Sequence, residues 1–388
     1  MSRYHPLLRY GGDMLALLVV AVCLTALRPA PARAPLGPPQ QVQTTQEQTC
    51  VHTRLIDEVE EWKVQRSLIE TREMGAPTIV EFFPWAYIEH TEGRYDWSSA
   101  DRIVRHAGNQ GLRIIARMGL VPAWARPQET LETTTLNTLP EESYPDFARF
   151  VAEFAARYAG VIDQIIIWNE PNLAFEWGFE QVDPAGYARL LEAVYAPAHA
   201  ANPQVQIVAA PLAPTLEPPG SAAGLDDLLY LQALYEAGAA PYFDALAMHT
   251  YGFTTPPGGD PAPDKLNFRR AELLREVMVE HGDAAKPVYI TETGWNDNAR
   301  WAYGVLPSLR VQYTIDALTL AAEAWPWAET VCLWMLRTPA DSFSYPDDFT
   351  LLTTQFERKP IYDAVRAFAR GEPLPEQLWL PPPAAPPF

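Results

Sequence analysis

Gln164-Ile165-Ile166-Ile167-Trp168-Asn169-Glu170-Pro171-Asn172 (QIIIWNEPN) passes from a continuous apolar run directly into an amide, a carboxylate and a proline. An unbroken β-branched run bounded by polar residues is expected of a strand buried on both faces, as in a parallel sheet. The segment before it is helical in pattern: Phe147, Phe150, Val151, Phe154, Ala155 and Tyr158 fall at i, i+3, i+4, i+7, i+8 and i+11. The same alternation repeats on either side between Cys50 and Arg370. Strands are predicted at Val51–Thr53, Thr78–Phe83, Leu112–Met118, Gln164–Trp168, Gln206–Ala210, Ala245–His249, Val288–Thr291 and Thr330–Trp334. Helical patterns fill the gaps. Val311, Ile315, Leu318 and Ala322 share one face, and Ser98 and Gly111 are placed to start and stop another helix. Eight strands alternating with eight helices in one order predict an α/β fold, the (β/α)8 TIM barrel.

Length and composition agree with one large domain. The chain has 388 residues, of which 48% are hydrophobic. Without its two ends roughly 320 remain, the size of one barrel. The formal net charge of -19 would repel phosphates, so no nucleic-acid partner is expected. The chain lacks CxxC, HExxH and any cluster of histidines, so no metal site is expected. Cys50 and Cys332 can pair in an oxidising compartment or stand as two separate buried thiols, and the sequence leans to the thiols.

The two ends differ from the middle. Arg3 and Arg9 precede the apolar run Met14 to Leu27, whose 14 residues fall short of the ~20 that span a bilayer. Residues 1–34 are therefore expected to be a secretory signal peptide or an uncleaved membrane anchor, which makes the protein secreted or extracytoplasmic with a membrane tether as the alternative. Residues 35–49 (PLGPPQQVQTTQEQT) are predicted to be an extended linker, 50–370 the barrel, and 371–388 a proline-rich tail.

Barrel enzymes carry their chemistry at the C-terminal ends of the strands. The fourth strand ends on Glu170 and the seventh on Glu292, within ITETGW. A carboxylate there is poorly suited to a packed core. Strands four and seven stand far enough apart in the ring for their tips to face each other. Two opposed carboxylates are what glycoside cleavage needs, one protonated and one ionised. Strand-end glutamates such as Glu81 and Glu89 show that a single one proves little.

The region from Val51 to Ala369 resembles the glycoside hydrolase clan A superfamily, and family 39 in particular. The residues that carry the resemblance are Trp168-Asn169-Glu170-Pro171-Asn172, Met248-His249-Thr250-Tyr251-Gly252, Ile290-Thr291-Glu292-Thr293 and Trp334, with Phe83-Pro84-Trp85 and Gly93-Arg94-Tyr95-Asp96-Trp97 in the second loop. The resemblance implies a retaining, β-specific O-glycosyl hydrolase of oligo- or polysaccharides that needs no cofactor. Glu170 would be the acid/base and Glu292 the nucleophile. Asn169 would bind the sugar 2-hydroxyl, Tyr251 would orient Glu292, His249 would lie beside Glu170 or the sugar, and Trp334 would floor the subsite. The pattern departs from the family in two places: the second strand lacks its expected Arg and the third its expected His. Arg117 or Arg54 is then expected to supply the cation near the nucleophile. Trp85, Tyr87, Trp124, Trp177 and Trp295 follow strands two, three, four and seven, and two or more of them are expected to stack sugar rings at the mouth. The competing readings are a family 5-like endoglucanase of the same clan, a non-catalytic sugar-binding barrel at the cell surface, and a structural surface protein on a proline stalk.

Overall fold

In the computed structural model, residues 34–128 and 135–375 are described. Eight parallel strands close a barrel in sequence order. They are β1 (Thr49–His52), β2 (Thr78–Pro84), β3 (Arg113–Gly119), β4 (Gln164–Ile167), β5 (Gln206–Ala209), β6 (Ala245–Tyr251), β7 (Val288–Gly294) and β8 (Ala328–Leu333). The crossover helices are α1 (Glu61–Met74), α2 (Ser98–Asn109), α3 (Tyr144–Arg157), α4 (Pro184–Ala201), α5 (Asp227–Glu236), α6 (Arg270–Glu280) and α7 (Pro307–Ala324), and α8 (Pro360–Arg370) follows β8. The predicted (β/α)8 barrel is the fold found.

Two apolar layers hold it. The larger lies between strands and helices, with Phe147, Phe150, Val151 and Phe154 of α3 all buried in it. The smaller fills the barrel interior: Cys50, Val80, Ile115, Ile166, Val208, Ala245, Ala247, Tyr289 and Cys332. These inward positions come from every strand, as a packed barrel core requires.

Cys50 and Cys332 sit side by side in the β1–β8 register and form a disulfide across 282 residues of chain. The lean toward two free thiols is thus corrected. Both side chains point into the barrel at the one seam where the first and last strands meet, and sequence distance hides that adjacency. A cross-link over so long a loop removes much unfolded-state freedom, typically worth about 2–5 kcal/mol. The Cys50→Ala/Cys332→Ala protein is expected to lose stability on that scale in denaturant titrations, and reduced wild type should move with it. Matching transitions for the oxidised wild type and the double variant would show that the seam holds without the bond.

Segment 35–49, read as a linker, runs along the N-terminal face of the barrel before entering β1. The Gln40 amide donates to Asn109 O and the Thr45 amide to Ala369 O, both at 2.7 Å. The Arg72 guanidinium donates to Gln40 Oε1 at 2.7 Å, and Gln48 Nε2 donates to Ala328 O at 2.7 Å. Gly111, at φ +71°, ends α2 directly under this segment, and a Cβ there would meet Gln40 O at 2.7 Å. Asn109 Nδ2 also donates to Gly37 O at 2.9 Å, so contacts with the barrel are made well ahead of Cys50. Residues 1–33, which carry the expected leader's apolar run, and 376–388 of the expected tail lie outside the described residues. Among those described, no helix is long and apolar enough to cross a membrane.

Candidate active site

Strand side chains alternate faces, so two residues on from the interior apolar layer the same face meets the barrel mouth. Cys50 leads to His52, Val80 to Phe82, Ile115 to Arg117, Ala247 to His249 and Cys332 to Trp334. This counting places polar and aromatic groups at the mouth without any motif. His52, Phe82, Arg117 and Trp334 line a cavity of about 450 Å³ together with Asn169, Glu170, Tyr251 and Glu292.

Glu170 reaches this cavity through an unusual turn. Trp168 and Glu170 both have positive φ, 79° and 41°, a region that L-residues occupy only when their surroundings hold them there. The surroundings do so. The Trp168 amide donates to Met118 O and the Glu170 amide to Pro211 O, both at 3.0 Å. Trp168 Nε1 donates to Glu176 O at 2.8 Å. Asn172 is fully buried and staples the turn: its Nδ2 donates to Ala213 O at 2.9 Å and its Oδ1 accepts from the Ala213 amide at 2.8 Å.

Glu170 Oε1 lies 2.7 Å from His249 Nδ1. Burial pushes the Glu170 carboxyl up to about 7, against the opposing pull of Arg117. Burial also lowers His249 to about 4, partly offset by Glu292, so its imidazole is neutral at ordinary pH.

Glu292 lies near the C-terminal end of β7 and accepts from the Tyr251 hydroxyl at 2.8 Å on Oε2. Its Oε1 faces Arg117 NH1 at 3.2 Å, His52 Nε2 at 3.5 Å and His249 Nε2 at 3.7 Å. Burial raises this carboxyl too, opposed by His249, Arg117 and the Tyr251 hydrogen bond, while Glu170 adds to the rise. Arg117, not Arg54, is the cation beside it. Arg117 NH1 also donates to Asn169 Oδ1 at 2.7 Å, and its guanidinium lies 4.9 Å from the Phe82 ring centroid. Phe82 on β2 thus stands under an arginine supplied from β3. Arg54 is paired with Asp57 at 2.7 Å on the rim.

Glu170, His249 and Glu292 offer one ligand atom each within 4.8 Å of one another. A cation there would meet the Arg117 guanidinium already at the same Glu292 oxygen, so the arrangement fits proton transfer and nucleophilic attack better than metal ligation.

The aromatic expectations need correction. Trp85 is fully buried, donates from Nε1 to Glu89 Oε2 at 2.7 Å and packs edge-on to Trp124. Trp124 Nε1 is spent on Glu89 O at 2.9 Å. Trp295 is buried and donates to Thr255 O at 2.8 Å; a Cβ on Gly252 would fall 1.9 Å from its ring, which is why that position is glycine. Trp177 packs on Trp168, and Tyr87, though exposed, does not line the cavity. The four tryptophans brace the loops. The cavity's aromatic surface comes from Phe175, Phe253, Trp301, Tyr345 and Phe349 as well as Trp334. Phe175, Phe253, Trp301, Tyr345 and Phe349 lie in long loops with no periodicity to mark them. Glu81 and Glu89 are structural: buried Glu81 accepts from the Leu55 and Ile56 amides, and Glu89 holds Trp85 and the Gly93 amide.

No family model matches the chain, and no curated protein matches it. Solved structures do. One is a family 39 glycoside hydrolase from the gut symbiont Bacteroides cellulosilyticus WH2, 21% identical, with a TM-score of 0.66 over 86% of this chain and 65% of that one. Another is a monomeric beta-xylosidase from Caulobacter crescentus CB15, 18% identical, with a TM-score of 0.59 over 84% of this chain and 69% of that one. A third is the GH5_18 from Bifidobacterium longum subsp. infantis, 15% identical, with a TM-score of 0.61 over 86% of this chain and 80% of that one. The chain therefore spans just under two thirds of the length of the Bacteroides structure. At these identities the likeness establishes the fold: this chain is a (β/α)8 barrel of the shape that family 39 and family 5 glycoside hydrolases share.

Proposed function

We propose that the protein is a retaining glycoside hydrolase acting on β-linked oligo- or polysaccharides, with Glu170 as acid/base and Glu292 as nucleophile. One observation carries this reading: an oxygen of Glu170 and an oxygen of Glu292 lie within 4.8 Å of each other across the cavity. Retaining pairs stand ~5–5.5 Å apart and inverting pairs ~6.5–9.5 Å, because inversion needs room for a water. The Caulobacter structure is described as a beta-xylosidase, which supports the β linkage.

The residues divide the work as follows. Ionised Glu292, held by Arg117 and Tyr251, attacks the anomeric carbon while Glu170 gives its proton to the departing glycosidic oxygen. Neutral His249 holds the acid in place: protonated Glu170 donates to Nδ1, which puts the ring's own proton on Nε2, facing Glu292 Oε1 at 3.7 Å. In the second half, Glu170 takes a proton from water as the water displaces Glu292. Asn169 meets the sugar 2-hydroxyl and Trp334 floors the ring. The observable is the first-formed product: proton NMR of aryl β-glycoside hydrolysis should show the β-anomer before mutarotation. An α-anomer formed first would overturn the assignment.

The pH profile follows from the two carboxyls. Glu170 must be protonated, and its value is about 7, so kcat/KM should fall as pH rises through about 7. Glu292 must be ionised and is held above the ordinary carboxylate range, so activity should also fall on the acid side, earlier than an ordinary glutamate would dictate. A bell with an optimum below 7 is expected. Glu170→Gln should lose the alkaline limb, and an alkaline limb that persists in this variant would assign it to another group.

The Cys50–Cys332 disulfide supports a secreted or extracytoplasmic location, since cytosolic thiols are kept reduced. The apolar run at Met14 to Leu27 would supply the export signal or a tether.

A further inference from the structure

Glu176 is a third carboxylate in the cleft, and the double displacement leaves it without a task. It sits on the single 3-10 turn Ala174–Trp177 after β4. Its backbone is fixed by Trp168 Nε1 on its carbonyl at 2.8 Å. Its Oε2 accepts from Asn137 Nδ2 at 3.0 Å, and the neighbouring Asn169 side chain favours its charged form. Because Asn169 Oδ1 is taken by Arg117 at 2.7 Å, the Asn169 NH2 is the group that faces Glu176. A polar chain thus crosses the floor of the cleft: Glu292, Arg117, Asn169, Glu176, Asn137.

Glu176 lines the main cavity and also a side cavity of about 160 Å³ bounded by Phe82, Arg117, Asn137, Trp168 and Asn169. The two cavities share Phe82, Arg117, Asn169 and Glu176 in their walls, and Glu292 lines only the main one. The group on the sugar that meets Asn169 has a half-buried acceptor beside it and space behind it.

We propose that Glu176 is a specificity-determining residue that reads the substituent on C2 of the sugar bound over Trp334. This rests on the glycosidase reading above, in which Asn169 meets the 2-hydroxyl. Asn169 offers a donor and Glu176 an acceptor, so the pair fits a group that both accepts and donates. A hydroxyl satisfies both. An ammonium at C2 gains from the carboxylate, whereas an anionic substituent such as a 2-sulfate is repelled by it. Without a donor at C2, Glu176 loses water on substrate binding and receives no hydrogen bond in exchange.

The test compares 4-nitrophenyl β-glycosides of xylose, glucose and galactose with their 2-deoxy counterparts, on wild type and on Glu176→Gln. Burial and the nearby Glu170 raise Glu176 to about 7, so both enzymes are compared at about pH 8, where Glu176 is ionised; a hydrogen bond to an ionised group corresponds to about 10- to 100-fold. The wild type should prefer the 2-hydroxy substrate, by kcat/KM, by at least that factor more than Glu176→Gln does. Equal losses on both substrates would overturn the proposal and leave Glu176 a brace for the loop. In parallel, methyl β-xyloside, methyl β-glucoside and their 2-deoxy analogues are titrated into Glu292→Gln and into Glu292→Gln/Glu176→Gln. If no glycoside is turned over by wild type, the glycosidase reading fails. The titration then decides this proposal separately: a 2-hydroxyl preference abolished by Glu176→Gln supports it, and a preference unchanged or absent overturns it.

Discussion

Glu292→Gln and Glu170→Gln are expected to fold as the wild type does and to lose activity in two distinguishable ways. Each keeps the size of the side chain it replaces. At position 292 the amide oxygen can still face Arg117, but it cannot form the ester, so kcat should fall by about 10⁴-fold or more whatever the leaving group. At position 170 the loss is of proton transfer, worth about 10²–10⁴-fold. It should shrink on substrates whose leaving group departs without help. Azide separates the roles further. With Glu170→Ala the glycosyl-enzyme still forms, and azide opens it to give the β-azide. With Glu292→Ala azide enters from the vacated nucleophile side and gives the α-azide. Product configuration is read by proton NMR. The opposite pairing of variant and anomer would mean that the two glutamates exchange roles, and unchanged turnover in either Gln variant would remove that residue from the chemistry. Circular dichroism and melting curves of both variants guard against a trivial loss of fold.

How far the sequence reaches depends on whether local pattern or long-range proximity decides a feature. The eight strands were legible because strands buried on both faces are apolar throughout, and each observed strand lies within a few residues of its expected bounds. Glu170 and Glu292 were legible because polar residues follow such runs only at the barrel rim. His52 and Phe82 could have been found too, by counting two residues past Cys50 and Val80. The disulfide and the Arg117–Glu292 pair could be named from sequence only as alternatives, to two free thiols and to Arg54, because each joins strands far apart in sequence. The buried Trp85 and Trp295 and the half-buried Trp124 show the opposite failure. An aromatic in a loop of a barrel carries the same local pattern whether its indole nitrogen finds a backbone carbonyl or its face meets a ligand. Only the hydrogen bonds at Glu89 and Thr255 decide it.

Arg117 tests how much of the electrostatic work at Glu292 a single cation does. Its guanidinium touches Glu292 at 3.2 Å and Asn169 at 2.7 Å, so it sets both the charge of the nucleophile and the aim of the amide. A positive charge favours the ionised carboxylate and so lowers its pKa. Removing it must raise Glu292 further above the ordinary range and also raise Glu170, since Arg117 lowers both. In Arg117→Met the acid limb of the kcat/KM profile should therefore move to higher pH, and the alkaline limb should move the same way. At mildly acidic pH, where more of Glu292 would be protonated, activity should fall about 10²–10³-fold, with part of the loss recovered on raising the pH. Arg117→Lys separates charge from shape. It keeps the positive charge near Glu292 but cannot bridge to Asn169 with the same planar fork. Its acid limb should stay near the wild-type position while kcat falls. An Arg117→Met enzyme whose acid limb does not move would show that the ionisation of Glu292 is set by Tyr251 and burial instead, and that Arg117 serves only to aim Asn169.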